Sequence, residues 1–243
     1  MYNTQFEQWR EEYLNGKVLL IDKPLTWTSF DAVKKIRILT GVSKVGHAGT
    51  LDPLATGLLI ICTGKFTKKI NEYMAAEKEY TGTFTLGATT PTYDLESVPV
   101  PKADYSNVSS EMIMGATQQE MIMGATQQFT GTIMQIPPAH SAIKKSGTPA
   151  YVLARKGKEV KMDPRPITIS LFEITKIDLP LVHFKVVCST GTYIRSLAND
   201  FGEALGCGAY LSSLRRTRIG MYNVQEALSI ESFVDQIQSL KKT

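Results

Sequence analysis

The chain has 243 residues, of which 43% are hydrophobic and 21% charged, which excludes a disordered protein and allows one substantial core or two modest domains. Its net charge of +4 permits a polyanionic partner without demanding one. Its three cysteines, Cys62, Cys188 and Cys207, are too scattered to indicate a zinc site or a disulfide framework.

The first third of the chain predicts short strands, one capped helix and a loop. It opens with a polar, acidic segment rather than a secretory signal, and its longest apolar stretch is too short to cross a bilayer. We therefore expect a soluble cytoplasmic protein with no membrane partner. In chain order the predicted elements are a strand over Lys17–Ile21, a helix from Thr28 or Ser29 to about Leu39, a loop over Ser43–Leu54, a strand over Leu58–Thr63 and a short basic helix over Phe66–Met74.

The remainder of the chain alternates between strand and helix patterns without a regular strand–helix–strand rhythm. A period of two predicts strands, one of them with a bulge near Leu171. Apolar residues at helical spacing predict two helices. The strands are predicted over Tyr80–Leu86, Ile167–Ile177 and Val182–Cys188, and the helices over Ile194–Leu205 and from Ser229 or Ile230 to Leu240. The fold class is therefore α+β, with a mixed, largely antiparallel sheet and flanking helices.

A nine-residue duplication interrupts this pattern. Glu111–Gln119 reads EMIMGATQQ, and Glu120–Gln128 repeats it. Nine residues make about two and a half turns of a helix, so two copies in one straight helix face opposite sides and cannot present Met-Ile-Met to the same core. We predict that one copy packs and that the other is a surface extension or poorly ordered.

The segment Val45–Gly57, which reads VGHAGTLDPLATG, carries the chemistry of this sequence. His47 and Asp52 stand five residues apart among glycines, which let a backbone approach a ligand closely. Pro53 biases Asp52 away from helical angles. A carboxylate held in this way could be a nucleophile or a general base, or the Asp-Pro pair could simply open a turn.

The same segment resembles the signature loop of the TruB-type tRNA pseudouridine synthases, whose relatives modify small nucleolar RNA targets. Further resemblances follow in the order in which the family has them. They are Asp22-Lys23-Pro24 with Thr28-Ser29, Glu79-Tyr80, Gln135-Ile136-Pro137-Pro138, Ser141-Ala142-Ile143-Lys144, Tyr151 to Gly157, Gly191-Thr192-Tyr193-Ile194-Arg195, and Gly208 to Leu211 with Leu214 to Thr217. Together they run from about residue 17 to residue 220.

The resemblance implies a pseudouridine synthase fold with a central RNA-binding cleft and an isomerase that detaches uracil from ribose, rotates it and rejoins it through carbon. No cofactor and no metal are implied. Asp52 matches the family's catalytic aspartate and could add to the base, attack the ribose or remove a ribose proton. The residues do not choose among these routes, although the family slightly favours proton abstraction through a glycal.

The resemblance also implies roles for residues around Asp52. Arg195 matches the partner of the aspartate, and an opposite charge keeps a carboxylate ionised. Tyr80 matches a catalytic-site residue that stacks on the uracil, and Tyr193 and Leu214 match other walls of the pocket. His47 matches a residue that fills the space the base vacates, and Lys23 is assigned to substrate binding. Asp94 matches an acidic position without an assigned role.

The partner implied is the T arm of tRNA, with uridine 55 flipped out of its stack as the target. Basic clusters, among them Lys144-Lys145, Arg155-Lys156-Lys158 and Arg215-Arg216-Arg218, could contact phosphates. We expect a monomer made of one catalytic domain over 1–243, with an insertion around 130–165 and without the family's C-terminal RNA-binding domain. The alternative function is a tRNA-binding or folding-chaperone module that uses the same pocket, and an aspartate-dependent hydrolase is a third class.

Overall fold

A computed structural model of the chain describes residues 4–103 and 118–242. The helices are α1 Thr4–Asn15, α2 Ser29–Thr40, α3 Ile70–Ala75, α4 Gln118–Ala125, α5 Ala150–Arg155, α6 Ile194–Ala204 and α7 Ile230–Lys242. The strands are β1 Val18–Lys23, β2 Val45–His47, β3 Ala55–Thr63, β4 Lys78–Leu86, β5 Ala88–Thr89, β6 Val100–Pro101, β7 Gly131–Gln135, β8 Lys144–Lys145, β9 Thr148–Pro149, β10 Arg165–Asp178, β11 Leu181–Cys188, β12 Ala209–Ile219, β13 Tyr222–Asn223 and β14 Leu228–Ser229.

The chain divides into two compact units. The first contains residues 1–80 and 214–243, and the second contains residues 81–213. The boundaries fall within β4 and β12, so each of these strands contributes residues to both units.

The sheet of the first unit is covered on both faces, and β3 is its central strand. It runs in the order β14, β1, β3, β12, where β1 and β3 are antiparallel and β12 is parallel to β3. Leu59 and Ile61 face a core that contains residues of α1, α2 and α7, while Leu58, Ile60 and Cys62 face a second core. Since successive side chains of a strand point to opposite faces, β3 has to be apolar on both.

Helix α2 begins and ends as its sequence predicts. The Thr28 hydroxyl accepts from the Asp31 backbone N–H over 3.0 Å, and the Asp31 carboxylate accepts from the Thr28 N–H over 2.9 Å, which is a capping box. Gly41 ends the helix with a left-handed φ of 67°. These caps place Ser29 at the start of α2, where it contacts the loop described below.

The second unit has a sheet built on the long β10–β11 hairpin. Its order is β4, β11, β10, β7, with β10 antiparallel to both β11 and β7. The register of β10 against β11 shifts between Ile169 and Leu171, which confirms the predicted bulge. Aromatic rings fill its core, where Phe84 and Phe184 stack at 4.2 Å and Phe201 of α6 lies 5.6 Å from Phe84.

The predicted α+β class with a mixed, largely antiparallel sheet is confirmed. Two local predictions differ from the structure: the predicted loop over 43–54 contains the short strand β2, and the predicted basic helix starts as a 3-10 turn over Gly64–Lys69. Helix α1 and strand β12 had no sequence prediction, although Phe6, Trp9 and Tyr13 of α1 stand at helical spacing. Among residues 4–103 and 118–242, no helix has the length and apolar character needed to cross a membrane.

The second copy of the duplication forms α4 and the 3-10 turn that follows it. Ile122 is fully buried there and Met123 is exposed, so this copy packs through one face. Most of the first copy, over 111–117, lies outside the described residues.

Candidate active site

The residues predicted for the site are distributed over both units. Lys23, His47, Asp52, Tyr80 and Leu214 belong to the first unit, and Tyr193 and Arg195 belong to the second. The pairing of Asp52 with Arg195 stays a prediction.

Asp52 lies half-buried in the loop that joins β2 to β3. The Asp52 carbonyl accepts from the Ala55 N–H over 3.0 Å, which closes a turn immediately before β3. On the other side of Asp52, the Ser29 hydroxyl accepts from the Leu51 N–H over 2.8 Å and donates to the Leu51 carbonyl over 3.2 Å. Asp52 is therefore flanked on both sides by fixed peptide groups.

Lys23, at the end of β1, contacts the same loop and has no exposed surface. Its ammonium donates to the carbonyls of Pro24 over 3.0 Å and Trp27 over 2.6 Å, with a longer contact of 3.4 Å to Pro53. Burial lowers the pKa of Lys23 from 10.5 to about 8, against the negative charge of Asp52, which raises it. Lys23 thus joins the segment between β1 and α2, through Pro24 and Trp27, to the Asp52 loop, through Pro53. A contact of Lys23 with RNA stays a prediction.

Arg216, on β12, is almost fully buried, with 1% of its surface exposed. Its guanidinium donates to the carbonyls of Leu58 over 2.8 Å, Gly49 over 3.2 Å and Thr50 over 3.4 Å. β12 can lie this close to β3 because Gly57 has no side chain: a Cβ there would lie 2.3 Å from the Arg216 carbonyl oxygen.

His47 ends β2 and lies partly buried, opposite Ile61 of β3. Burial lowers its pKa, and the positive charge of Arg216 lowers it further, against a backbone hydrogen bond with Gly49 that raises it. The neutral imidazole is thereby favoured near pH 7. The predicted role of His47 in filling the space of the flipped base stays a prediction.

Leu214 and Tyr80 take different positions in the first unit. Leu214 of β12 pairs with Ala55 of β3, three residues after Asp52, so its backbone lies beside the end of the Asp52 loop. Tyr80 lies on β4 with 9% of its surface exposed. Its stacking on uracil stays a prediction.

In the second unit, Arg195 lies in the first turn of α6, as predicted, with 4% of its surface exposed. Its Nε lies 3.5 Å from the Asp94 carboxylate. Its other nitrogens donate to the carbonyls of Thr92 over 3.3 Å and His140 over 3.1 Å. Asp94 is thus a buried partner of Arg195. The sequence identified Asp94 as an acidic position of the family, but it did not predict this contact.

Tyr193, the residue before α6, is held by two side chains, one from β7 and one from β10. The Gln135 amide, which is buried, exchanges two hydrogen bonds with the Tyr193 backbone. The Arg165 guanidinium lies 5.0 Å from the centre of the Tyr193 ring and donates to the Gly191 carbonyl. The sequence identified Gln135 only within a family motif and did not identify Arg165, and it predicted neither contact, because neither residue is near Tyr193 in the chain.

The cluster Arg215-Arg216-Arg218 differs from its prediction as a phosphate-binding surface. Arg215 forms two hydrogen bonds with the Asp22 carboxylate, at 2.6 and 3.0 Å. Arg218 lies 3.1 Å from Glu77 and 3.7 Å from Glu79. The prediction is wrong for Arg216, whose guanidinium is buried against carbonyl groups, because the fold turns this part of β12 inward.

Comparison with known proteins identifies the family of this chain. Residues 37–194 match the model of the TruB family pseudouridylate synthase N-terminal domain, and residues 195–243 match that of the tRNA pseudouridylate synthase B C-terminal domain. A protein of Flavobacterium johnsoniae named tRNA pseudouridine synthase B is 52% identical over 94% of this chain and 99% of its own length. A protein of Phocaeicola vulgatus with the same name is 49% identical over 91% and 93%.

Two solved structures share the fold. In a crystal structure of a Cbf5-Nop10-Gar1 complex, the matching chain is 29% identical with a TM-score of 0.70, and the match covers 93% of this chain and 56% of that one. A structure of an H/ACA RNP bound to a substrate RNA containing 2'-deoxyuridine contains a chain that is 26% identical with a TM-score of 0.69, matched over 97% of this chain and 57% of that one. The fold is that of a pseudouridine synthase. The chain belongs to the TruB family of these enzymes.

Proposed function

We propose that this protein converts a uridine in the T arm of tRNA, at position 55, into pseudouridine. The observation that carries the proposal is the 52% identity, over nearly the whole chain, to a relative named tRNA pseudouridine synthase B. The half-buried carboxylate of Asp52, on a loop held from both sides, supports it independently.

The reaction breaks the bond between N1 of uracil and C1′ of ribose, and it forms a bond from C5 to C1′. The proton lost from C5 is balanced by one gained at N1, so the product is an isomer of the substrate and no electrons are transferred. A single carboxylate suits this chemistry, whether Asp52 adds to the base, attacks the ribose or removes a ribose proton. Since the target lies in a folded loop, the uridine has to leave its stack first, which costs a few kcal/mol.

In this proposal Arg195 pairs with Asp52, and Tyr80, Tyr193 and Leu214 form the walls around the everted base. Stacking on a flat side chain returns about 1–3 kcal/mol per base. Lys23 contributes by tying the Asp52 loop, at the Pro53 carbonyl, to the segment before α2, at the Trp27 carbonyl. The protein acts as a monomer in the cytoplasm, with tRNA as its partner and without a cofactor.

The test is to incubate the purified chain with an unmodified T-arm transcript and to locate pseudouridine by chemical derivatisation and mass spectrometry. Wild-type protein is expected to modify the T-loop uridine, and Asp52→Asn protein is expected to bind the transcript without modifying it. A transcript with cytidine at the target position is the substrate control. A folded wild-type protein that binds the transcript and leaves it unmodified would instead support the chaperone alternative.

A further inference from the structure

Arg216 is a buried cation outside the set of residues that the family resemblance assigns to the site. Transferring a guanidinium out of water costs several kcal/mol unless hydrogen bonds satisfy its N–H groups. Here three backbone carbonyls, those of Gly49, Thr50 and Leu58, accept from it. A long apolar side chain could fill the same volume without the cost of removing a charge from water. Packing alone therefore does not account for an arginine at this position.

The position of these carbonyls supplies the explanation. Gly49 and Thr50 precede Asp52 by three and two residues, and Leu58 lies on β3 after the loop. The guanidinium is planar and its donors are rigidly spaced, so two terminal nitrogens that bind successive carbonyls fix the orientation of both peptide planes. Through its Nε, Arg216 also anchors these planes to the sheet.

Two other buried side chains complete the same frame. Ser29, with 2% of its surface exposed, holds both backbone groups of Leu51, and Lys23 contacts the carbonyl of Pro53. The peptide groups on both sides of Asp52 are thereby fixed by side chains from three different elements. Arg216 alone among these three contacts two loop residues and β3.

We propose that Arg216 is a positioning residue that sets the orientation of the Asp52 carboxylate through the carbonyls of Gly49 and Thr50. This inference rests on the proposed function, because it concerns the rate of the reaction assigned to Asp52. A misplacement of a reacting group by about 1 Å lowers a rate about 100-fold. The buried guanidinium has no surface with which to bind RNA, so RNA affinity is expected to stay unchanged.

The experiment compares Arg216→Met, Arg216→Lys and Ser29→Ala with wild type under single-turnover conditions on the T-arm transcript. Arg216→Met is expected to lower the rate constant about 100-fold without changing the dissociation constant for RNA. Arg216→Lys restores one cation but not the planar fork, so its rate should lie between those of Arg216→Met and wild type. Ser29→Ala removes a milder contact with the same loop and should lower the rate less than Arg216→Met does.

Arg37→Met is the matched control, because Arg37 also donates to a backbone carbonyl of the first unit, that of Val45, at 3.2 Å. It should lower stability and keep the rate constant of the folded protein. A second readout does not depend on activity: amide hydrogen exchange in the peptide over 48–55 should rise in Arg216→Lys and stay unchanged in Arg37→Met.

The outcomes separate this inference from the proposed function. Wild-type protein that forms no pseudouridine contradicts the proposed function. Active wild type together with Arg216 variants that keep its rate, or that lose only RNA affinity, overturns the role of Arg216. If Arg216→Met does not fold, Arg216→Lys decides: a lowered rate with raised exchange over 48–55 supports the role, and a rate or exchange equal to that of wild type refutes it.

Discussion

The side-chain amide of Gln135 donates to the Tyr193 carbonyl over 3.1 Å, and its oxygen accepts from the Tyr193 N–H over 2.8 Å. β7 thereby holds the first residue before α6, two positions from Arg195. A second contact joins the same two segments: the hydroxyl of Ser196, the residue after Arg195, donates to the carbonyl of Ile136, the residue after Gln135, over 2.8 Å. The segment that follows β7 and the start of α6 are therefore joined by side-chain contacts within the second unit.

Gln135→Ala should remove both bonds and leave the Tyr193 N–H unsatisfied, while the Tyr193 carbonyl keeps its hydrogen bond from the Leu197 N–H at 3.1 Å. The free energy of unfolding is expected to fall by about 1–3 kcal/mol, since the Tyr193 N–H loses its partner. Urea unfolding measures this change, and the exposed Gln128→Ala serves as the control with no expected effect. Equal stability of the two variants would show that the Gln135 contacts contribute nothing.

Asp94→Ala should destabilise the protein strongly, because the carboxylate lies 3.5 Å from Arg195 and both side chains are about 95% buried, with exposures of 6% and 5%. Removing one partner of a buried ion pair costs about 3–5 kcal/mol. Asp178→Ala is the control, since Asp178 pairs with Lys176 on the surface and such pairs contribute less than about 1 kcal/mol. Thermal unfolding measures the loss of stability in both variants. An effect of Asp94→Ala as small as that of Asp178→Ala would contradict the expectation.

The pH dependence of stability should carry a signature of Lys23. Its pKa in the folded protein is about 8, below its ordinary value of 10.5, so between these values the unfolded chain binds one more proton than the folded one. Stability from this group therefore rises with pH across that window, by about 1.4 kcal/mol per pH unit. This contribution to stability is lost as pH falls through the folded-state pKa of about 8.

Lys23→Met lacks this titration. The difference in unfolding free energy, wild type minus Lys23→Met, is expected to become more positive from pH 8 to pH 10. Urea titrations at several pH values give this difference, and the exposed Lys68→Met should show no such trend. A difference that stays flat with pH would place the pKa of Lys23 near its ordinary value.

Gly57→Ala should prevent normal pairing of β3 with β12. Gly57 has a φ of +104°, and a Cβ there would lie 2.3 Å from the Arg216 carbonyl oxygen, so both backbone strain and a clash oppose the alanine. Loss of soluble folded protein, or destabilisation by several kcal/mol, is expected in circular dichroism and urea unfolding.

Gly124→Ala is the matched substitution with the opposite expectation. Gly124 lies in α4, and a Cβ there has nothing within 4 Å, so alanine should stabilise the helix by about 0.5–1 kcal/mol. Tolerance of alanine at both glycines would contradict the close approach of the two strands at Gly57.

Local patterns predicted much of the fold. The alternation in β4 and β11, the apolar run of β3 and the caps of α2 are each read from neighbouring residues, because pleat and helix geometry impose periods of two and 3.6 on the chain. The loop around Asp52 was identified from its residues and their resemblance to a family, and Arg195 came from the same resemblance. The short strand β2 was missed, since three residues carry no period.

The amino-acid sequence by itself therefore determined many of the strands and helices, the family and the identity of the carboxylate proposed for catalysis. Only the tertiary structure decided which cations are internal. Arg216 reads as one of three arginines on a solvated face, yet it contacts carbonyls more than 150 residues away, at separations of 158, 166 and 167. The burial of a charge depends on acceptors that distant segments bring around it, and no local periodicity encodes those acceptors.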